Sequence, residues 1–286
     1  MPTPQRLSEL QSLIMRETLR AEAAGTAPAF HTLQTLYAEK NAHGVDLSQK
    51  VGRLCHVEHL CNDIAAGQLT LANIGPVVWG DKLENVLRDA TFFDSVTGGQ
   101  IAIRSLMDSY YGSCWTHQPE SQDAWDTFGS EPTKVRIEST VGQLLAGLMR
   151  PGDPYFGLHL HAGLVKYRSK AELETWPSTV TLDGLLDSEG RNISLALSVV
   201  RDDYSDESEV RIIYSHHEQD PWVQANVSIA AHPGNPNGYA SIPCSWGGLI
   251  DSITLRSDMP TSTKVLLTNT LAGAGLSIPI VVSTIA

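Results

Sequence analysis

The spacing of apolar residues changes near residue 50. Before it, Leu7, Leu10, Ile14 and Leu19 fall on one helical stripe, opened by Thr3 as N-cap and Pro4 at the first helical position. The small residues from Ala21 to Pro28 break this helix. Phe30, Leu33, Leu36 and Tyr37 mark a second one, ended near Asn41-Ala42-His43-Gly44. Neither helix carries a reactive pattern. Residues 1–48 therefore read as a helical extension, a cap or an arm through which copies could associate.

After residue 50 short strands and short helices alternate without a regular βαβ repeat. The pattern predicts strands over 51–56, 69–74, 101–107, 109–115, 135–138, 155–167 and 209–214. Helices are expected around Leu60, Cys61 and Ile64, closed by Gly67, and between Ser121 and Gly129. A further helix carries Leu144, Leu145 and Leu148 behind a Thr140/Gln143 capping box. Asp81 and Glu84 form a second capping-box pattern. The stretch 193–200 fits either element, and the end reads as strand 250–256, helix 262–272 and strand 277–284. This mixture predicts an α+β domain over 49–286 that would hold any catalytic site.

Apolar residues make up 42% of the 286 residues and charged residues 18%, enough for a core and unlike a disordered chain. The formal charge of -12, from 32 acidic and 20 basic residues, argues against strong nonspecific nucleic-acid binding. The four cysteines include no C-x-x-C pair and suit a reducing, cytoplasmic setting. No apolar run reaches the ~18 residues a membrane span needs, so no membrane partner is expected.

Four groups of residues could carry chemistry. Glu207, Glu209 and Arg211, read as one strand, share a face with successive side chains about 7 Å apart. Two carboxylates so placed repel, and a neighbouring arginine can hold one ionised. That suits stabilising a cation formed during reaction; an exposed strand face with simple ion pairing is the plain alternative. His56 ends a strand before a helix, where its ring can orient a polar ligand or serve as a structural histidine. Tyr110, Tyr111, Trp115 and Trp125 with Ser113 could wall a pocket for a flat ring or simply pack the core. Ser139 and Thr140 could donate hydrogen bonds, although the capping box already accounts for Thr140. His159-Leu160-His161 is a one-face pair, but Val165 and Lys166 stand where a cupin would need its glutamate, and no metal is expected. Cys114 has no base fixed beside it.

Two resemblances follow from these residues. The run Gly112-Ser113-Cys114-Trp115, Glu120-Ser121, Trp125 and Val135-Arg136-Ile137-Glu138-Ser139-Thr140 resembles the centre of an uncharacterised bacterial domain family. Val165-Lys166-Tyr167, the Glu207-x-Glu209-x-Arg211 strand and Leu249-Ile250-Asp251 match its later parts, and Asp81 to Asn85 its aspartate-x-x-glutamate element. More distantly, the order of His56, the Gly67 that closes the next helix, Ser139-Thr140 and Glu207-Ser208-Glu209 resembles the ADP-ribosyltransferase fold. That resemblance implies a mixed two-sheet core with NAD, as substrate, in the cleft between the sheets. It implies that His56 holds the adenosine ribose and Tyr110 or Tyr111 stacks on nicotinamide. Glu209 would bond the nicotinamide ribose and stabilise the oxocarbenium ion as nicotinamide leaves. Arg211 after the second glutamate, and Glu58 two residues past His56, depart from the usual pattern.

Two functions are carried forward. One is an NAD-dependent ADP-ribosyltransferase or NAD glycohydrolase acting on a macromolecular acceptor or on water, as a toxin or antiphage effector would. The other is a non-catalytic recognition or regulatory module, with Glu207, Glu209 and Arg211 as a structural ion network.

Overall fold

The computed structural model describes residues 2–94 and 98–285. Its strands in chain order are β1 (Ala42–His43), β2 (Lys50–His56), β3 (Gln68–Asn73), β4 (Thr91–Phe93), β5 (Gln100–Ala102), β6 (Tyr110–Thr116), β7 (Lys134–Thr140) and β8 (Leu160–Leu164). They continue as β9 (Lys166–Arg168), β10 (Val199–Arg201), β11 (Glu209–Ser215), β12 (Ser228–His232), β13 (Asn235–Pro243), β14 (Ser252–Leu255) and β15 (Ile280–Val282). Eleven of the described strands form one mixed sheet with the path β1-β8-β11-β6-β2-β7-β14-β15. The β12–β13 hairpin joins it through β3, which pairs with β6. Helices alternate with these strands, and the fold is α+β.

A seam crosses the sheet. β2 pairs with β7 along seven residues but meets β6 at the single rung Gly52–Thr116. Farther along, β6 turns away and pairs with β3 at Gly112 and Tyr111. The sheet is thus two ladders hinged at one rung. The helix Val57–Ala66, closed by Gly67 in the left-handed conformation at φ 62, carries the chain between them.

Directly paired residues share a face of a sheet, and successive residues alternate. On one face Val210, Ile212, Tyr214, Tyr111 and Trp115 enter the main core with Val135, Ile137 and Leu144. On the other, Ile213 and Tyr110 join a smaller core with Ile74, Leu87, Met107, Leu185 and Ile193. β11 is buried along its whole length because both faces are covered.

The first helix, Pro4–Ala23, is capped by Thr3 as its sequence predicts. The second, Phe30–Asn41, packs Phe30 and Tyr37 edge-on against Phe156. Its last residue, Asn41, donates to the carbonyls of Gly157 and Leu160, and β1 then pairs with β8. Two expectations need correction. The stretch 101–107 ends in the helix Arg104–Met107, and 155–159 is closed by the helix Phe156–His159, where strands were expected. The ambiguous 193–200 is helix first (Arg191–Ala196) and strand after, where β10 finds β9 as its partner. No described helix is long and apolar enough to cross a membrane.

Candidate active site

The row Glu209–Thr116–Gly52–Glu138 runs across four strands on one face, through the seam. The next row on that face sets Arg211 opposite Cys114 and Gly163. Arg211 is 1% exposed. A guanidinium so buried must have every donor engaged and its charge balanced. Its Nε donates to Glu209 Oε1 at 2.7 Å, its Nη1 to the Leu197 carbonyl at 2.9 Å and its Nη2 to Glu84 Oε2 at 2.6 Å. The Trp79 ring lies over its face, 4.6 Å from the guanidinium carbon. Burial alone would lower the Arg211 pKa, but Glu209, Cys114 and Glu84 outweigh it and hold it raised.

Glu84 comes from the 3-10 turn Lys82–Asn85. Asp81 caps that turn, accepting from Leu83 N at 2.9 Å. The reciprocal half of the expected capping box is replaced by Glu84's bond to Arg211. Burial raises the Glu84 pKa, against the pull of Arg211.

Glu207 is not on the strand. It ends the 3-10 turn Asp202–Glu207, and Ser208 follows at φ 46, the only non-glycine with positive φ among the described residues. That conformation costs a serine on the order of 1 kcal/mol and persists only where its surroundings enforce it. Thr116 Oγ1 donates to the Glu207 carbonyl at 2.6 Å, and Gln118 Nε2 donates to the Asp206 carbonyl at 2.8 Å and Ser208 Oγ at 2.9 Å. His117 N donates to the Ser208 carbonyl at 3.1 Å. The bend brings the half-buried Glu207 carboxyl within electrostatic reach of Glu209 and Glu84. Burial first, then those two carboxylates, pushes its pKa up to about 7 from the ordinary 4.5.

Two carboxylates, Glu209 and Glu84, therefore hold one guanidinium, and Glu207 lies near enough to feel their charge. Tyr167 closes one side, its hydroxyl accepting from Glu209 N at 2.9 Å; burial pushes its pKa to about 12. The Cys114 thiol lies against Glu209, and burial with that carboxylate raises its pKa well above the thiol's usual value. Such a thiol is a poor nucleophile. Trp79 Nε1 is buried with no hydrogen-bond partner among the described residues.

On the far side of the seam, the buried Arg136 guanidinium lies over Gly52. A Cβ there would come within 2.3 Å of its Cζ, so only glycine leaves the space. Arg136 Nη2 donates to the Gln118 carbonyl at 2.8 Å and its Nε to Glu138 Oε1 at 3.4 Å, while Nη1 is buried without a partner among the described residues. Strand spacing puts Gly52 about 10 Å from Glu209.

The other residues expected at the site lie apart from this cluster. His56 shares its face but stands four residues beyond Gly52, about 13 Å along β2, with Glu131 Oε2 3.6 Å from its Nε2. Tyr110, on the same face, is buried in the smaller core, and Tyr111 and Ser139 project to the opposite face. Ser139 Oγ donates to the Leu249 carbonyl at 2.6 Å. Thr140 forms the capping box with Gln143. The structure brings Glu209 and Arg211 together with Glu84, Trp79 and Tyr167, sets Glu207 nearby and leaves Arg136 across the seam. Arg211 was the available signal. A buried cation on β11 has one carboxylate two residues away, Glu209, and needs a second from outside the strand to engage its remaining donors.

No protein-family profile matches the chain, so the likeness to an uncharacterised bacterial family has no support from that side. No curated protein matches it. Among solved structures it is similar to Thermus sp. 2.9 DarT in complex with NAD+, at 12% identity and a TM-score of 0.35, covering 83% of this chain and 96% of that one. The same protein with carba-NAD+ gives 12% identity and a TM-score of 0.33 over the same shares. With ADP-ribosylated single-stranded DNA it gives 10% identity and a TM-score of 0.37, over 82% of this chain and 94% of that one.

Proposed function

We propose that the chain cleaves the N-glycosidic bond of NAD and passes ADP-ribose to a macromolecular acceptor or to water. One observation carries this reading: a buried carboxylate, Glu209, is tied to the buried Arg211 on the face of the sheet that runs through the seam, with the Glu207 carboxyl nearby.

The chemistry assigns the two glutamates different tasks. The nicotinamide of NAD is bonded through a cationic ring nitrogen. It leaves with the bonding electron pair as a neutral molecule and needs no proton. The charge left behind is an oxocarbenium ion on the ribose. Glu209, fixed by Arg211, stabilises that cation in a site shielded from water. The incoming hydroxyl or water must lose a proton as its bond to the ribose carbon forms. Glu207 accepts it, with a pKa close to working pH. Arg136 would meet the diphosphate across the seam and His56, farther along the same face, the adenosine ribose. Trp79 and Tyr167 would wall the nicotinamide, in place of Tyr110 and Tyr111.

Incubating the protein with NAD tests this. Nicotinamide should appear, and Glu209→Gln should slow its release by on the order of 10²–10³-fold. A folded wild type that neither releases nicotinamide nor binds NAD in calorimetry would sink the reading.

A second reading has its own observation. Every nitrogen of Arg211 is engaged, as expected of a structural clamp in a recognition module. It predicts that Glu209→Gln lowers stability and leaves partner capture unchanged.

A further inference from the structure

About 20 Å from Glu209, at the other end of β11, a second polar cluster is buried. Asp153 lies in the loop before the helix Phe156–His159, His159 ends that helix, and Asp220 caps the helix Pro221–Asn226. Their side chains are 5%, 3% and 4% exposed. We propose that these three residues bind one divalent transition cation, Zn2+ or Mn2+.

His159 Nδ1 stands 3.0 Å from the Ser215 carbonyl. A carbonyl only accepts, so Nδ1 carries the hydrogen. That turns Nε2 inward, 3.3 Å from Asp220 Oδ2 and 3.7 Å from Asp153 Oδ1. In the neutral ring, Nε2 offers a lone pair, and both carboxylate oxygens offer theirs. Three lone pairs converging in a buried space require a cation between them. Among the described residues no lysine or arginine pairs with either aspartate, which leaves a proton or a metal ion.

The geometry and the surroundings fit the metal. Ligands about 2.1 Å from a tetrahedral ion lie about 3.4 Å from one another. Here the three ligand atoms all fall within 4.8 Å of one another, with the two histidine separations at 3.3 and 3.7 Å. Each ligand is oriented from outside the cluster. Tyr155 N donates to Asp153 Oδ1 and Trp222 N to Asp220 Oδ1, both at 2.8 Å, which leaves Asp220 Oδ2 free to turn inward. A ligating histidine usually donates its other nitrogen's hydrogen in the way His159 does to Ser215. One imidazole with two carboxylates suits Zn2+ or Mn2+. Ca2+ prefers six or more oxygens, and Cu(I) prefers sulfur. The ion would tie the loop at Asp153 and the turn at Asp220 to the end of β11.

The test is calorimetric titration of chelator-stripped full-length protein with Zn2+, Mn2+ and, as control, Mg2+, with thermal melts in parallel. The proposal expects one equivalent of Zn2+ or Mn2+ bound and a higher melting temperature. Asp153→Asn and Asp220→Asn each keep an oxygen to accept the local backbone N–H, so the fold should survive. Each should weaken binding by on the order of a hundredfold. Should a variant misfold, Co2+ added to the wild type reads the same site through its visible d–d absorption, displaced by Zn2+. No stoichiometric binding by the wild type would overturn the proposal and identify a proton-bridged Asp–His–Asp triad. Undiminished binding by both folded variants would overturn it as well, placing the ion elsewhere.

Discussion

A carboxyl that takes up its proton near neutral pH pulls stability and activity in opposite directions. The Glu207 pKa is raised by folding, from 4.5 to about 7. Its proton therefore favours the folded chain most below pH 4.5, and that advantage is lost as pH rises through 7. If Glu207 is the base, nicotinamide release rises over the same window, as the carboxylate forms. Glu207→Gln should flatten both profiles. At pH 8 it should stabilise the fold by about 1 kcal/mol, the shift being discounted for the solvent that reaches a half-buried group. Denaturant melts and initial rates from pH 5 to 8 check this, and an unchanged slope in either would contradict it. Arg211→Met makes the converse case: it leaves Glu209 and Glu84 buried without their cation and should cost about 3–5 kcal/mol in a urea melt. The E-x-E-x-R pattern was legible because its members are near in sequence. Glu84 was not, since Asp81 and Glu84 satisfy a capping pattern and its true partner, Arg211, lies 127 residues away. The turn at Ser208 was not legible either. Alternation placed Glu207 on the strand face, whereas a positive φ puts it into the cluster from a preceding turn.

Among the elements, β2 and β7 decide how the site is framed. Gly52 leaves room for the Arg136 guanidinium on the face shared with Glu209. Gly52→Ala should displace that side chain and cost about 1–3 kcal/mol. It should raise the KM for NAD more than it lowers kcat, because Arg136 is assigned to binding. Thr140, at the end of β7, is occupied by its capping box with Gln143. Thr140→Ala should cost about 1 kcal/mol in a thermal melt and leave the KM for NAD unchanged. A KM rise without loss of stability would return Thr140 to the cofactor site. Elements with a clean period were readable, among them the first helix, β2, β7 and the helix after it. The stretch 193–200 was not, because its strand half is decided by β9, a partner distant in sequence. The β12–β13 hairpin was not legible either. Asn235-Pro236-Asn237-Gly238 interrupts its alternation, and its place in the sheet depends on β3.

For the whole molecule, the -12 charge and the helical extension set the outer terms. Within the cluster Arg211 offsets one of the two charges of Glu209 and Glu84. Arg136, with one buried nitrogen unpartnered among the described residues, offers a local positive point to a small anionic ligand. Residues 30–43 pack closely on the rest. Gln34 donates to the Ala146 carbonyl, Phe30 and Tyr37 rest on Phe156, and β1 pairs with β8. A chain of residues 49–286 should melt at lower temperature and bind a hydrophobic dye where these contacts are lost. Melting like the full chain would make 1–48 an independent appendage. The measurement that bears most directly on the account is nicotinamide release from NAD, followed for the wild type and Glu209→Gln, with circular dichroism confirming both folds. Release by the wild type and its near-complete loss in the variant is the expected result. Equal rates in both, or none in either, would contradict the assignment of Glu209 to the reaction.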